Sequence, residues 1–273
     1  MKDLAPQKYW DSVYKHMAVG SSESVRLNSW REKLKVWTRD YSNFLIWEAV
    51  LPKVLLVDDK LKIIEIGSAP GKYLINFNKL FHYQVYGIEY SEGGAAIAKE
   101  NFITNGLDPN NIIKADFFSQ DFQNQFKEHF DLVFSRGFIE HYHDVESVVN
   151  QHLNLVKTGG RIVISIPNLS GVNYTLSKYF NIDSLLLHNT TIMNKASFSN
   201  LFPVSKVESI FCDYVGLFSF GLFNTNRRWK YIIYRILLLI QRPVDLVLRL
   251  IWPSNFLKSR FTSPYLLFVG IKK

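Results

Sequence analysis

Three carboxylates and two glycines recur at spacings that suit a nucleotide. In Glu65-Ile66-Gly67-Ser68-Ala69-Pro70-Gly71 an acid ends a short apolar run, and two glycines bracket a tight turn before the helical pattern Lys72-Tyr73-Leu74-Ile75-Asn76-Phe77. Strand, glycine turn and helix make the first half of a nucleotide-binding βαβ unit. Gly67 lets the backbone pass close to a ligand, because no Cβ intervenes and a positive φ costs little. Glu89, 24 residues beyond Glu65, ends a second apolar run, and Asp116 ends a third. A carboxylate offers two oxygens to neighbouring donors, which suits a diol such as a ribose. Any one acid at a strand end also reads as a helix cap or a solvated charge. Three at successive strand ends point to a shared ligand.

Positioning them requires a parallel sheet, and the pattern from residue 61 onward is that of alternating strands and helices. Leu61–Ile66, Gln84–Glu89, Asn111–Asp116, Asp131–Ser135 and Arg161–Ile166 read as five strands. Helices are expected over Lys72–Phe81, Gly94–Asn105 and Val145–Val156. Thr158-Gly159-Gly160 reads as a turn that stops the last of these, and Pro167 ends the fifth strand. Val204–Tyr214 and Tyr265–Ile271 read as two further strands separated by a long insertion.

Composition is that of a globular chain: 273 residues, 47% hydrophobic and 21% charged, enough for one well-buried α/β domain with additions. The single Cys212 rules out an internal disulfide and a four-cysteine metal cluster, and fits a reducing compartment. The first ten residues lack an apolar signal-peptide core, so a cytoplasmic location is expected. There is no internal repeat and no low-complexity tract.

The order Glu65-x-Gly67-x-x-x-Gly71, Glu89, Asp116, Phe130-Asp131-Leu132-Val133-Phe134 and Leu155-Val156-Lys157-Thr158-Gly159-Gly160-Arg161-Ile162-Val163-Ile164 resembles the class I S-adenosylmethionine-dependent methyltransferases over roughly residues 60 to 170. Glu140-His141, Ser165-Ile166-Pro167-Asn168 and the opening Tyr9-Trp10-Asp11-Ser12-Val13-Tyr14 are similar to their small-molecule group. The resemblance implies a Rossmann-like, doubly wound α/β sheet of seven strands with the last antiparallel, supplied by Pro264–Ile271. It implies S-adenosyl-L-methionine as cofactor and methyl transfer to a small-molecule acceptor, at oxygen. Residue by residue, Gly67, Ser68, Ala69 and Gly71 would pass beneath the methionyl and ribose parts, and Glu65 would orient the ammonium. Glu89 would accept from both ribose hydroxyls, Tyr90 would pack on the adenine, and Asp116 would take the adenine amino group with Phe117 as an apolar wall. Ser135 and Arg136 would lie near the methionine end and the transferred methyl.

A sulfonium methyl is already activated, so a general base is needed only for a protonated nucleophile. His141 is the first candidate, as an imidazole titrating near neutrality after strand four, and His143 the second. The alternative is that Glu140-His141 simply caps or packs at the head of the next helix. Quinone-type O-methyltransferases and small-RNA methyltransferases can place a divalent metal on Glu-x-x-Glu-His. Here Gly137 stands at the earlier glutamate, and a Glu-His pair is too few ligands, so no metal is expected.

Rival chemistries fit less well. A dinucleotide dehydrogenase expects G-x-G-x-x-G, which Ala69 and Lys72 break. The Gly67–Gly71 wording resembles RNA ribose 2′-O-methyltransferases, and a net charge of +8 would suit a polyanion. Their Lys-Asp-Lys-Glu tetrad is absent, with Ser135-Arg136 and Ser165-Ile166-Pro167-Asn168 at the expected places, so RNA stays a minor alternative. A catalytically inactive methyltransferase fold serving as a partner subunit also stays open.

Outside the sheet, residues 1–60 read as a helical, aromatic-rich N-terminal cap on a 61–273 methyltransferase domain. Tyr9, Trp10 and Tyr14 could close over the cofactor, while Trp37, Phe44 and Trp47 read as a packed apolar face. Residues 168–200 read as a substrate lid. The 225–262 insertion holds eight basic residues and one acid, Asp245, so +7 of the +8 charge lies there. Arg228, Arg235, Arg242 and Arg249 recur every seven residues and could line one face, with Pro243 dividing the segment into two helices. No uncharged run approaches the ~20 residues of a membrane span. Such a basic amphipathic hairpin suits an anionic membrane surface at the inner face, and would favour a lipid-linked or amphiphilic acceptor. Packing on the protein's own sheet, or on a second subunit in an oligomer, is the alternative.

Overall fold

A computed structural model describes residues 4–15, 40–223, 225 and 227–273. Seven strands form one sheet: β1 Lys62–Ile66, β2 Gln84–Glu89, β3 Ile112–Lys114, β4 Phe130–Arg136, β5 Val156–Pro167, β6 Val207–Val215 and β7 Tyr265–Lys272. Their order is β3-β2-β1-β4-β5-β7-β6. β1 to β5 pair in parallel, and β7 runs antiparallel between β5 and β6. This is the expected sheet with its antiparallel last strand.

Both faces are buried, as the near-continuous apolar strands require. Ile64, Ile66, Val133 and Ile162 pack into one core, while Ile63, Val85, Phe134 and Val163 pack into the other, alternating along each strand. The strand order reverses between β1 and β4, which opens a crevice at the carboxyl ends of the strands.

Several expected bounds shift. Asp116 follows β3 rather than ending it, since that strand stops at Lys114. The 158–160 turn does not separate helix from strand. Val156 already pairs with Phe130, and Gly159 (φ 78°) lies in an irregularity before Leu132 meets Arg161. The chain from Tyr41 to Val54 is helical, with a π-helical centre at Leu45–Val50. It buries Tyr41, Leu45 and Trp47 in the second core, together with Ile63 and Phe134 of the sheet. Phe44 is partly buried against the same core, as expected, while Trp37 lies outside the described residues.

In the insertion, Pro243 lies inside one continuous helix, Arg228–Ile251, instead of dividing it. Proline there removes the donor for the Leu239 carbonyl, but both residues are exposed, and Gln241 and Asp245 anchor the inward side. The four-arginine face is also broken. Arg249 turns inward, 3.8 Å from Glu48 Oε1 and over the Phe44 ring at 4.5 Å.

Candidate active site

At the carboxyl ends of β1, β2 and β4 lies a cleft of about 400 Å³. Its wall includes Gly67, Ala69, Glu89, Tyr90, Asp116, Phe117, Arg136 and His141 among the residues singled out from sequence. Gly67 has φ 71°, and a Cβ there would come within 3.0 Å of Phe138, so the turn depends on glycine. Glu89 ends β2 with 5% exposure. Its Oε2 accepts from Ala69 N at 3.2 Å and its Oε1 from Ser91 N at 3.0 Å. Burial pushes this carboxyl up, while those amides pull it back. Asp116 caps its own turn, accepting from Phe118 N at 2.9 Å.

The Gln7–Lys15 helix closes the cleft from above. Trp10 and Tyr14 line it, Trp10 packs edge-on against His141 at 5.2 Å, and Leu4 N donates to His141 O at 2.8 Å. Ser91 Oγ donates to Asp11 Oδ1 at 2.9 Å, tying this helix to the turn after Glu89. Burial, Glu89 and Glu65 all raise the Tyr14 phenol, so it stays protonated. At Gly94 a Cβ would meet Tyr14 and Ala69 at 3.0 Å and Glu89 Cδ at 3.1 Å.

Other sequence candidates stand off the wall. Glu65 is buried beneath the turn, with Oε2 lacking a hydrogen-bond partner and its carboxyl pushed well up by burial against the pull of Lys72. Ser68 points toward Gly87, Gly71 starts the Lys72–Phe81 helix, and His143 is exposed. Ser135 Oγ faces inward to His152 Nε2 at 3.1 Å. Because His152 Nδ1 gives its proton to Val148 O at 2.8 Å, Nε2 accepts from that hydroxyl. Arg136, which does line the cleft, is held between the rings of Tyr73 (5.0 Å) and Tyr265 (4.3 Å), and donates to Asn43 Oδ1 at 2.7 Å.

His141 is on the wall but is a weak base. Burial and His188 push it down to about 3, against the pull of its bond to Leu187 O at 2.7 Å. That bond protonates Nδ1 and leaves Nε2 as an acceptor. Glu140 is fully buried, and burial raises it to about 8, offset only in part by the Phe138 and Glu140 amides. His188, from the lid segment, comes within 4.6 Å of His141 ring to ring. Glu140, His141 and His188 bring ligand-type atoms within 4.8 Å of one another, so the count of two available ligands is corrected to three.

Sequence reasoning missed His188, Tyr73, Phe138 and Tyr142. Only tertiary packing brings His188 to the site. The Gly93-Gly94 pair was the legible signal for a helix held close to Glu89.

Residues 39–214 match the family model of a methyltransferase domain. Among curated protein sequences none matches. Geranyl diphosphate C-methyltransferase from Streptomyces coelicolor A3(2), solved with Mg2+, geranyl diphosphate and S-adenosyl-L-homocysteine, is similar in fold. It has a TM-score of 0.55 and 12% identity over 89% of this chain and 80% of that one. Haemonchus contortus phosphoethanolamine N-methyltransferase 2, solved with S-adenosyl-L-methionine, gives 0.52 and 15% over 98% and 59%. A Haloferax volcanii methyltransferase in complex with the Trm112 activator gives 0.56 and 14% over 99% and 98%. The chain belongs to the methyltransferase-domain family, as an enzyme of the class I S-adenosylmethionine-dependent fold.

Proposed function

We propose that the cleft binds S-adenosyl-L-methionine and transfers its methyl group to the oxygen of a small, amphiphilic or lipid-linked acceptor. The observation that carries the reading is the Glu89 carboxylate on the wall beside the Gly67–Ala69 turn, in a cleft of ligand size. Bound there, the cofactor supplies a sulfonium-activated methyl, so the protein's work is alignment and exclusion of water. Glu89 accepts from the ribose hydroxyls, Asp116 from the adenine amino group, and Tyr90 and Phe117 flank the base. Arg136, Glu65 and the 67–71 turn surround the methionyl end, with Ser68, Gly71 and Ser135 supporting from behind. Trp10 and Tyr14 keep water out.

His141 Nε2, neutral at pH 7 with its basicity lowered to about 3, accepts the hydrogen bond of the acceptor hydroxyl. It takes the proton only as the new carbon–oxygen bond forms, when that oxygen becomes far more acidic, and then passes it to solvent. His143 has no part in the step. No metal is invoked. The enzyme works in the cytoplasm, with 225–262 resting on an anionic membrane surface at its inner face.

Calorimetric titration with S-adenosylmethionine and S-adenosylhomocysteine, with NAD as control, tests the cofactor. Micromolar binding that is lost in Glu89→Ala and weakened in Asp116→Ala supports the reading. A folded protein that binds neither sulfur nucleotide sinks it.

A further inference from the structure

The Arg228–Ile251 helix is apolar on both faces, with Leu248 packed on the second core and Tyr234 against Phe180 on the inward side. That inward face also buries two polar side chains. Gln241 and Asp245 are 8% and 5% exposed, Gln241 donates to Asp245 Oδ2 at 3.0 Å and to Asp40 Oδ2 at 3.1 Å, and its Oε1 accepts from Phe220 N at 2.7 Å. Its outward face presents Ile232, Ile236, Leu239, Val247 and Leu250, from 50% to 68% exposed. Leaving such a stripe in water forfeits hydrophobic free energy, and contiguous patches of this kind mark an interaction surface.

Charge identifies what covers it. Arg235 and Arg242, both exposed, follow one another along one flank of the stripe, with Trp229 and Trp252 near its two ends. An apolar stripe flanked by cations and ended by tryptophans suits a helix lying in a lipid headgroup layer. A second copy of this chain would bring two basic flanks of the same sign together, whereas anionic headgroups neutralise them. No helix among the described residues is long and apolar enough to cross a membrane, so the contact is with one surface.

The lid shares this surface. The Gly171–Phe180 helix is held at both ends by the insertion: Val172 N donates to Phe261 O at 3.0 Å, and Tyr179 packs edge-on against Trp229 at 6.3 Å. Val172, Tyr179, Ile182 and Leu186 are exposed beside it, and the same segment then delivers His188 to His141 on the cleft wall. The apolar surface and the acceptor side of the cleft are therefore one connected stretch of chain.

We propose that the Arg228–Ile251 helix and the lid form a single docking surface for an anionic bilayer, from which an amphiphilic acceptor passes its head group into the cleft. The acceptor half rests on the methyltransferase reading above; the docking half does not.

Flotation of the full chain with vesicles of phosphatidylcholine alone, and of an equal mixture with phosphatidylglycerol, tests it. The protein is expected to float with the anionic mixture and to be released by salt. Arg235→Ala and Arg242→Ala should each weaken binding about fivefold. Ile232→Glu with Ile236→Glu and Leu239→Glu should weaken it more than about a hundredfold. Retained S-adenosylhomocysteine binding in that triple variant shows that it is folded. No flotation of the wild type, or equal flotation of the triple variant, overturns the proposal. So does a dimer by light scattering that the triple variant splits while neither form binds vesicles. Flotation without cofactor binding supports the docking surface and overturns only the methyltransferase reading.

Discussion

The Ser91 hydroxyl donates to the Asp11 carboxylate at 2.9 Å, while the Ser91 amide donates to Glu89 Oε1 at 3.0 Å. One residue thus joins the N-terminal helix to the carboxylate assigned to the ribose. Asp11→Ala removes the charged acceptor, a bond of about 1.5 kcal/mol in this partly buried setting. Calorimetry should show about tenfold weaker S-adenosylhomocysteine binding with little change in melting temperature, and unchanged affinity would show that the helix does not close the cleft.

Gly94→Ala tests the close approach under Tyr14. The added methyl would meet Tyr14 and Ala69 at 3.0 Å and Glu89 at 3.1 Å. Crowding of this kind costs about 1–3 kcal/mol, opposed by about 1 kcal/mol of helix propensity. Cofactor affinity should fall about tenfold while thermal stability stays within a few degrees.

Stability should fall as pH rises from 6.5 to 8. Burial raises Glu140 to about 8 and Asp245 to about 7, so the folded protein holds protons that the unfolded chain has released. Their contribution is complete below the ordinary carboxyl values of 4.5 and 3.8 and is lost as pH climbs through the raised ones. His141 and His152, lowered by burial to about 3 and about 4, act in the opposite sense and only below 6.5. Urea denaturation across this window should show Glu140→Gln flattening the decline; an unchanged slope would assign it elsewhere.

Ser135 is expected to be structural. Ser135→Ala leaves His152 Nε2 buried without its donor, which should cost about 1–2 kcal/mol in denaturant unfolding. S-adenosylhomocysteine affinity should not move, and a large loss would return Ser135 to the binding site.

Chelation should leave methyl transfer unchanged. Glu140, His141 and His188 do cluster, but Glu140 is held largely protonated at neutral pH, and a sulfonium donor needs no Lewis acid. Activity lost to a chelator and restored by one divalent ion would reverse this and make His188 a ligand.

The side of the cleft proposed for the cofactor was legible because it is local in sequence. Glu65, Gly67, Glu89 and Asp116 stand at or just beyond the ends of strands that their own apolar runs announce, and a parallel sheet with short connections brings such ends together. The side proposed for the acceptor was not legible. His188 reaches His141 only because the 168–200 segment folds back to it, with Asn189 N donating to Glu140 O at 2.7 Å, and Arg136 is held by Tyr73, Tyr265 and Asn43 from three distant segments.

The insertion divides in the same way. Its charge and the seven-residue spacing of four of its arginines are properties of the chain, so a basic amphipathic element whose uncharged runs are too short to cross a bilayer followed from sequence alone. Which face turns inward did not. A helical period specifies two opposed faces without saying which is covered, and here buried Gln241 and Asp245, satisfied by Asp40 and Phe220, fix the inward side together with Leu248 and leave Ile232 and Ile236 out. Only the tertiary structure decided that, because the partners that make burying these two polar side chains tolerable come from parts of the chain far away in sequence.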